Sequence, residues 1–513
     1  MRGTVRENAT TPTNPHRIPG PGTYDIADAR LQVALLWGLM SDDSSSRIVA
    51  SLRRWIASAP PGAQLPSTRS LVVEHSASPV TVQKALRVLV SQGVVESRPG
   101  VGTFVRENTS VRANDYRWQT AALGAPVTRL KLPAALQSPS NDVVSLHSGY
   151  PDRTLLPEKL VRSAFARAAR SDAIVDRPPT AGLPELQSWF ARELASITSP
   201  GINPPSSSDV TVIPGSQTGL STAFRALVGA GRPLLMESPT YWGAILAAAQ
   251  AGVDVVPVPS GFTGPDPEEL RRAFESTGAR AFYAQPNFAS PTGALWKPEL
   301  AEKVLKIAEQ HGAFIIEDDS AHDFGISAHP SPLAARDDTG RVVYSRALTK
   351  SVSPAVRVAA IIARGPARER IIADTSAESM YVSSILQTVA LDVVTQPAWR
   401  THLTRLHSQL AARRDLLVTS IEEHVPTGKL EGIPAGGLNL WLRLPDETNL
   451  DVVIAECKSA GVIVGAGDDY FPAEPTGKYL RLNFAGRNPG DYPIAAREIG
   501  SAVERSRSST SRL

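Results

Sequence analysis

Two adjacent acids and a lysine occupy positions that favour chemistry over packing. Asp318 and Asp319 end the apolar run that begins at Phe314, and paired carboxylates are costly to bury without a partner. Lys350 follows the strand predicted at Val342–Ser345. A lysine amine at the carboxyl edge of a sheet can hold an aldehyde cofactor as a Schiff base. Most lysines are solvated surface residues, so this prediction depends on further residues that would bind such a cofactor.

A phosphate site is expected where a predicted strand meets a helix. Gly215, Ser216 and Gln217 lie between the strand Val210–Ile213 and the helix that follows it. Free backbone N–H groups and the positive end of the helix macrodipole make such a junction an anion site. Taken singly, this match is more often an ordinary surface turn, so it gains weight only beside the lysine and the acids.

The elements that must position these side chains alternate along the chain. From about Val143, short β-branched or aromatic runs alternate with amphipathic helices, which predicts an α/β fold with a mostly parallel sheet covered on both faces. Strands are expected at Val210–Ile213, Pro233–Met236, Val253–Val258, Ala281–Ala284, Phe314–Glu317 and Val342–Ser345. Helices are expected at Thr218–Leu227, Tyr241–Ala251, Pro267–Glu275 and Lys297–His311. After Ser376 the chain is predicted to be mainly helical to about His424, and a smaller α/β portion then has strands at Leu438–Leu444, Val462–Val464 and Tyr479–Phe484.

Chain length, cysteine count and the lengths of apolar runs limit the classes of protein to which this chain can belong. A chain of 513 residues is too long for one core, so two or more domains are expected. The single cysteine, Cys457, excludes a disulfide framework and disfavours a thiolate metal site, so no metal is predicted. No apolar stretch reaches the ~18–20 residues that a membrane helix needs. These features favour a cytoplasmic protein without a membrane partner.

A basic segment precedes the α/β region. Between Ser44 and Arg106 the chain has eight Lys or Arg and two acids, a net charge of +6, whereas the rest sums to −3. Such asymmetry is expected when one part of a protein contacts phosphates, although a solvated basic surface explains the charge equally well. The predicted elements are a helix at Ser44–Ala59, a short helix after Ser67, a helix at about Pro79–Gln92, and strands at Val94–Ser97 and Thr103–Arg106.

Two helix starts in this segment have the residue types that bind DNA. Ser67 is expected to cap a helix with Arg69 in its first turn, and both can contact a phosphate. The helix predicted from Pro79 starts with Ser78, and Ser78, Thr81 and Lys84 share one face because they are three residues apart. This helix is therefore the candidate recognition helix for the major groove.

A tight turn with two glycines, Gly100 and Gly102, follows and is predicted to direct Arg98 towards DNA. The stretch Gly62–Val105 resembles the winged helix of GntR-type bacterial regulators, whose pattern of LPS-x-R, a serine-led recognition helix and E-S-R-x-G-x-G-T-F is nearly intact. The resemblance implies binding to double-stranded DNA. Ala77-Ser78-Pro79 departs from the usual Val-Ser-Arg entry to the recognition helix, so one arginine is missing there. The alternative is a small three-helix module that binds protein.

The α/β region resembles the fold-type-I, class I aminotransferases, which bind pyridoxal 5′-phosphate (PLP). The order Thr349-Lys350, then Pro354, then Arg357 resembles the family's S-K-x-x-x-P-x-x-R element. The resemblance implies that Lys350 is the catalytic Schiff-base lysine and that Arg357, with Thr349, binds the cofactor. The family's E-D-D element implies that Asp318 holds the pyridine nitrogen, with Asp319 as second choice.

Other matches follow in order along the chain. Tyr241 corresponds to the aromatic residue that stacks on the cofactor, and Arg481 to the arginine that binds the substrate carboxylate. Residues 286–293 resemble the P-N-x-x-N-P-T-G loop, which implies cofactor contacts for Asn287 and Ser290. The family also places its phosphate loop at the position of residues 215–217.

Several departures weaken the match to an efficient aminotransferase. Ser290 replaces the asparagine that usually contacts the ring oxygen, and Ala347 replaces a serine that binds phosphate. The tyrosine expected after the paired acids is absent, and His322 is a candidate substitute. A further tyrosine is missing in the region of Arg177. Cofactor binding is therefore expected, whereas efficient transamination is not.

A GntR winged helix followed by a class I aminotransferase-like domain is the layout of MocR/GabR-type regulators. The resemblance implies a homodimeric, PLP-dependent transcriptional regulator that binds promoter DNA and senses PLP, an amino-acid-like effector, or their adduct. A working aminotransferase with a vestigial DNA module and a regulator that senses PLP alone remain as alternatives. The expected domains are a disordered tail at 1–24, a winged-helix domain at 25–106 with an extra helix within 25–41, a linker at 107–140 and a PLP-binding domain at 141–508.

Overall fold

The computed structural model describes residues 44–106, 117–123, 134–137 and 143–510. The chain divides into two units, Met1–Pro126 and Val127–Leu513. The predicted tail at 1–24 and the predicted helix within 25–41 lie outside the described residues. Within the predicted linker the structure contains a helix, Arg117–Leu123, and a short 3-10 helix, Ala134–Leu136.

The N-terminal unit has the predicted order of three helices and a two-stranded wing. Its small core is formed by apolar residues such as Ile48, Leu71 and Leu89, each at most 2% exposed. The two wing strands pair antiparallel, with Val95 opposite Val105. The elements are α1 (Ser44–Ser58), α2 (Thr68–Glu74), α3 (Pro79–Ser91), β1 (Val95–Arg98) and β2 (Gly102–Val105), followed by α4 (Arg117–Leu123).

The second unit starts with a short strand, Val144–Ser145, that pairs in parallel with residues 462–463 in a separate two-stranded sheet, and it continues with the strands of the large sheet and the helices between them. The elements are β3 (Val144–Ser145), α5 (Glu158–Ala168), α6 (Pro184–Ala195), β4 (Val210–Ile213), α7 (Ser216–Ala223), β5 (Pro233–Ser238), α8 (Trp242–Ala251), β6 (Asp254–Gly261), β7 (Gly264–Pro265), α9 (Pro267–Thr277), β8 (Ala281–Ala284), α10 (Pro298–Gln310), β9 (Phe314–Asp318), β10 (Val342–Ala347) and β11 (Ala359–Ile362). Local chemistry sets their ends: Asp266 caps α9 by accepting from two backbone N–H groups, and Gly278 ends it with φ +65°.

Its remaining elements are mainly helical and then form a smaller sheet. They are α11 (Gly365–Ser379), α12 (Ser384–Thr395), α13 (Pro397–His424), β12 (Lys429–Leu430), β13 (Asn439–Leu444), α14 (Leu450–Ser459), β14 (Val462–Ile463), β15 (Gly465–Ala466), β16 (Lys478–Asn483) and α15 (Tyr492–Thr510). The small sheet has the order β12-β13-β16-β15. Helices α13 and α15 contribute Leu410 and Ile499 to the apolar core beside it.

The eight-stranded sheet has the order β4-β11-β10-β9-β8-β5-β6-β7. The predicted strands are all present, and β10, β9, β8, β5 and β6 pair in parallel. Sequence reasoning missed β11, which pairs antiparallel with both β10 and β4. Its short Ala-Ala-Ile-Ile run has no alternation and includes alanine, a poor strand former. The helix predicted at Thr218–Leu227 ends at Ala223 and continues as a π-helix, Phe224–Val228.

The antiparallel strand decides where Arg357 lies. Ala359 at the start of β11 pairs with Ala347 at the end of β10 and with Ile213 at the end of β4. Because β11 begins where its neighbours end, Arg357 comes to the carboxyl edge of the sheet beside Lys350. Asp318 reaches the same edge because it ends β9. Among the described residues no helix is long and apolar enough to span a bilayer.

Candidate functional site

A small pocket at the carboxyl edge of the large sheet contains Lys350. Six residues that the sequence predicts for a cofactor site line it together: Ser216, Gln217, Tyr241, Thr349, Lys350 and Arg357. Three lining residues were not predicted to contact the cofactor: Tyr150, Ser320 and Ala347. The described residues contain no cluster of acids, histidines and cysteines that could hold a metal ion.

The Lys350 amine is tuned towards its neutral form. Burial lowers the pKa of Lys350 to about 8, the negative charge of Asp318 opposes this shift, and Arg481 adds to it. The lysine Nζ lies 5.8 Å from the centre of the Tyr241 ring. A neutral amine is the form that attacks a carbonyl carbon. A pKa of about 8 gives Lys350 a larger neutral fraction near neutral pH than an exposed lysine has, while most of the amine stays protonated.

Asp318 has one carboxylate oxygen occupied and one without a partner. Its Oδ2 accepts from the Tyr283 hydroxyl at 3.1 Å and from Gln285 Nε2 at 2.8 Å. Its Oδ1 is buried and has no hydrogen-bond partner. Burial raises the pKa of Asp318, and the nearby charge of Lys350 opposes that rise. Asp318 does not line the pocket itself, but a buried carboxylate oxygen without a partner fits an N–H donor such as a protonated ring nitrogen.

Asp319 is turned to a different set of partners. Its Oδ2 accepts from the Tyr344 hydroxyl at 2.8 Å and lies 2.7 Å from His322 Nδ1. The imidazole of His322 is therefore held by the second acid, and it does not line the pocket. Asp319 Oδ1 is likewise buried without a partner. Asp318 is preferred over Asp319 as the partner of a cofactor ring because its charge acts on Lys350, whereas Asp319 is paired with His322.

The residues predicted to bind phosphate converge on Gly215. A Cβ atom placed on Gly215 would lie 2.9 Å from Arg357 Nη2 and 3.7 Å from Thr349 Oγ1, and φ at this glycine is +93°. Thr349 Oγ1 is buried without a hydrogen-bond partner. Arg357 has φ +44°, a conformation that side-chain-bearing residues rarely adopt. With the first N–H groups of α7, which begins at Ser216, these groups form an anion cradle that fits a phosphate.

Tyr241 is oriented by a short chain of hydrogen bonds. Its hydroxyl donates to Gln217 Oε1 at 3.3 Å, and Gln217 Nε2 donates to the carbonyl of Gly243 at 2.7 Å. The amide of Gln217 is thus used to hold the ring and the following helix, α8. Its backbone N–H lies in the first turn of α7, where N–H groups have no partner within the helix.

Five predicted cofactor residues do not line the pocket: Gly215, Asn287, Ser290, Asp318 and His322. Asn287 Oδ1 accepts from the backbone of Ser331 at 2.8 Å, and its Nδ2 is buried without a partner. The backbone N–H of Ser290 donates to Gln285 Oε1 at 3.0 Å. The structure gives Asn287 and Ser290 a role in shaping the loop, and their contact with a cofactor stays a prediction.

Arg481 lies on β16 and is only 3% exposed. One edge of its guanidinium contacts main-chain carbonyl groups. Its Nη1 donates to the carbonyl oxygens of His147 at 3.1 Å and Ser148 at 3.0 Å. Its Nε is buried without a partner, and its guanidinium carbon lies 5.6 Å from the centre of the Tyr470 ring. A guanidinium held on one side and unsatisfied at Nε suits a carboxylate ligand.

Sequence reasoning missed Tyr150, Tyr283 and Gln285. Strand β8 carries Tyr283 and ends one residue before Gln285, and its parallel register with β9 brings both side chains to Asp318. The strand register is the only signal that could have identified these two contacts. It can be used only when β8 and β9 are already known to be neighbours. Tyr150 lies in a loop, and its main-chain carbonyl accepts a hydrogen bond from Asn483 Nδ2 at 3.0 Å. This contact joins distant parts of the chain.

In the N-terminal unit, helices α2 and α3 begin at the positions that the sequence predicts. Ser67 Oγ accepts from the backbone of Ser70 at 3.1 Å, and Ser78 Oγ accepts from the backbone of Thr81 at 3.2 Å. Both serines therefore cap their helices as predicted. Arg69 is exposed in the first turn of α2, which is the orientation that a phosphate contact requires.

The wing turn uses its glycines, but its arginine is engaged internally. A Cβ atom on Gly102 would lie 2.4 Å from Gln64 Nε2, and φ at Gly102 is +145°. Arg98 pairs with Glu96 and lies 4.7 Å over the centre of the Phe104 ring. A DNA contact by Arg98 would require exchange of that surface ion pair, which is cheap because such pairs contribute little.

Comparison with known proteins finds a matching family for each of the two parts of the chain. Residues 141–499 match the family described as aminotransferase class I and II, and residues 44–105 match bacterial regulatory proteins of the gntR family. An uncharacterized HTH-type transcriptional regulator, YdfD of Bacillus subtilis, is 26% identical over 87% of this chain and 92% of its own length. The probable rhizopine catabolism regulatory protein MocR of Rhizobium meliloti is 26% identical, covering 83% of this chain and 86% of its own.

Solved structures show the same fold for the second unit. The α-aminoadipate aminotransferase LysN of Thermus thermophilus, complexed with N-(5′-phosphopyridoxyl)-L-leucine, superposes with a TM-score of 0.66 at 22% identity. The match covers 72% of this chain and 94% of LysN.

Proposed function

The chain belongs to the aminotransferase class I and II family and joins that domain to a GntR-type domain, and we propose that it is a PLP-dependent transcriptional regulator. Its large unit senses PLP, an amino-acid-like effector, or both together. The observation that carries this proposal is the pocket around Lys350 in the same chain as an intact winged helix. MocR, a relative along most of the chain, bears the name of a regulatory protein.

The residues present fit PLP. Lys350 would hold its aldehyde carbon, Asp318 Oδ1 would accept from its ring nitrogen, and Gly215, Thr349 and Arg357 would bind its phosphate. When bound, PLP supplies an aldehyde for amines and a ring that withdraws electrons. The chain's part is to lower the pKa of the Lys350 amine by burial and to supply the Asp318 carboxylate for the ring nitrogen, with the charge of Lys350 opposing the rise in the pKa of Asp318.

Arg481 supports an effector with a carboxylate. Two observations support this: Arg481 Nε is buried without a partner, and the charge of Arg481 acts on Lys350. A pure PLP sensor would need no such group, which disfavours that alternative.

The pocket is eroded in ways that favour binding over turnover. Ala347 and Ser320 line it where the family has a phosphate-binding serine and, near Ser320, a tyrosine. Neither replacement can supply the same hydrogen bond or ring, so each removes a contact that would orient reacting groups. We infer that the chain keeps its cofactor and that transamination is weak.

An exposed apolar patch supports a homodimer. Ile174 is 56% exposed, Val175 78% and Met380 67%, with Tyr381 beside them. Ser384 ties the two segments together by donating to the carbonyl of Ala173 at 2.6 Å. Large exposed apolar side chains that cluster on one surface are typical of a subunit interface. A regulator of this kind acts on promoter DNA in the cytoplasm.

Absorbance tests the cofactor. The purified chain with PLP is expected to show the band of a covalently held PLP, and Lys350→Ala is expected to lose it. Lys297→Ala, at an exposed lysine on the surface, serves as the matched control and keeps the band. A band that survives in Lys350→Ala contradicts the proposed role of Lys350.

A mobility-shift assay tests DNA binding. DNA flanking the chain's own gene is expected to bind specifically, with affinity falling steeply between about 50 and 200 mM salt. Absence of specific, salt-sensitive binding contradicts the regulator proposal. Efficient turnover of amino-acid and keto-acid pairs would instead support an enzyme.

A further inference from the structure

The buried side chain of His147 lies between Arg481 and the end of the predicted linker. The residue is 0% exposed. Its main-chain carbonyl accepts from Arg481 Nη1 at 3.1 Å. Its ring Nε2 lies 3.1 Å from the carbonyl oxygen of Gln137, and its Nδ1 lies 3.1 Å from Ser145 Oγ. One residue therefore contacts both the proposed carboxylate clamp and the chain that leads in from the N-terminal unit.

A single neutral tautomer of His147 satisfies both ring contacts. With its proton on Nε2, the ring donates to the Gln137 carbonyl and accepts from the Ser145 hydroxyl at Nδ1. Burial lowers the pKa of His147, and the charge of Arg481 adds to the effect, although the contact with Gln137 opposes it. The ring is thus a fixed donor to the linker and has no need to change protonation.

The main chain beside His147 is held tightly to β16. Asn483, two residues after Arg481 on that strand, donates from Nδ2 to the carbonyls of Ser148 at 2.6 Å and Tyr150 at 3.0 Å. Tyr150 in turn lines the Lys350 pocket. Because buried backbone groups must keep their partners, a shift of β16 moves this segment with it.

Arg481 keeps one guanidinium nitrogen without a hydrogen-bond partner. Nη1 is committed to two carbonyl oxygens, whereas the buried Nε has no partner. A carboxylate that binds the guanidinium removes this unsatisfied group and restricts the side chain. The restriction is passed to the two carbonyls that Nη1 holds.

We propose that His147 is a positioning residue that couples effector binding at Arg481 to the linker. Its carbonyl belongs to the effector clamp, and its ring holds the linker at Gln137. A carboxylate on Arg481 immobilises the His147 main chain and so strengthens the hold of the ring on the linker end. This inference rests on the proposed function, because it requires a carboxylate ligand at Arg481.

Hydrogen exchange on the full-length chain tests the coupling. The probe is N-(5′-phosphopyridoxyl)-L-leucine, and its control is the corresponding adduct of 3-methylbutylamine, which lacks only the carboxylate. The first adduct is expected to slow exchange of the segment that contains residues 134–137 by about tenfold more than the second. Equal slowing by both adducts, or slowing by neither, overturns the inference. This comparison needs no variant and therefore does not depend on whether one folds.

Substitutions separate coupling from simple packing. His147→Phe keeps a buried ring and the carbonyl but loses the donor to Gln137, so it is expected to bind the leucine adduct while its linker protection no longer responds. His147→Gln keeps an N–H donor and is expected to restore the response. A full response in His147→Phe overturns the inference. Failure of the wild-type chain to bind either adduct is a different result, since it overturns the proposed function as well.

Discussion

Gln285 donates its side-chain amide to Asp318 Oδ2 at 2.8 Å, on the same oxygen that Tyr283 contacts at 3.1 Å. The two donors share one carboxylate oxygen and leave Oδ1 for another partner. The other end of the Gln285 amide accepts from the backbone of Ser290 at 3.0 Å. One side chain thus orients the proposed cofactor acid and holds the loop that follows it.

Gln285→Leu is expected to weaken PLP binding by about tenfold, the cost of one hydrogen bond to a charged group. Loss of the donor destabilises the Asp318 carboxylate, so the pKa of that acid rises further. An absorbance titration with PLP measures the change. Tyr283→Phe removes the other donor but leaves the Ser290 contact, so its loss should be smaller. Unchanged affinity in Gln285→Leu would contradict the role given to this amide.

The low pKa of Lys350 predicts a pH-dependent stability. The pKa of Lys350 is about 8 in the folded chain and 10.5 for an ordinary lysine. Between these two pH values the folded chain has released the Lys350 proton and the unfolded chain has kept it. Stability of the cofactor-free chain therefore rises with pH through this window, and the charged lysine destabilises the fold below it. Lys350→Met is expected to stabilise the cofactor-free protein at neutral pH by about 2 kcal/mol.

Urea unfolding at pH 7 and pH 9.5 measures this difference. The advantage of Lys350→Met over wild type should shrink at the higher pH, because the wild-type amine is then neutral. Lys297→Met changes an exposed lysine and should show neither effect. An advantage that stays constant with pH would mean that the gain comes from packing alone.

Arg69 provides a test of the DNA-binding surface. Its exposed side chain follows the cap residue Ser67, so Arg69→Gln should remove one phosphate contact. The expected result is weaker binding to all DNA sequences. The slope of log K against log salt concentration should also become shallower by about one. Arg54→Gln, on α1 and outside the predicted motifs, makes the same change in charge and should have the smaller effect. Binding measured at several salt concentrations distinguishes the two.

Asp323 and Arg346 form a buried ion pair whose disruption should be costly. Arg346 Nη2 donates to Asp323 Oδ1 at 2.9 Å, and both side chains are 4% exposed. The guanidinium also lies 5.1 Å from the centre of a Trp189 ring. Asp323→Asn leaves a buried positive charge with less compensation, and we expect it to lower the free energy of unfolding by about 3 kcal/mol. The double change Asp323→Leu with Arg346→Met should recover part of that loss in the same unfolding assay.

Local patterns in the sequence were sufficient for most of the elements, though not for β11, and for naming several residues that line the pocket together. The serines that cap α2 and α3, Ser67 and Ser78, act through contacts three residues away, which a sequence displays directly. Lys350 and Arg357 could be identified because a short motif joins them. Six strands of the large sheet were predicted because each carries its own apolar run, whereas β7 and β11 were not predicted.

Only the tertiary structure separated residues that look alike in the sequence. Glu317, Asp318 and Asp319 are three consecutive acids, yet Glu317 accepts from the backbone of Leu333 at 2.9 Å and is structural. Asp318 faces Lys350, and Asp319 holds His322. Alternation along a strand turns neighbouring side chains to opposite faces, but what each face meets depends on packing between distant segments.

The same limit explains the residues that were missed. Gln285 reaches Asp318 because β8 and β9 are neighbours, and His147 reaches Arg481 from more than three hundred residues away in the chain. The amino-acid sequence by itself determined the kinds of element, the two resemblances and the reactive residue types. The tertiary structure decided which of those residues are partners, because hydrogen bonds between distant segments depend on sheet order and register, which no local pattern specifies.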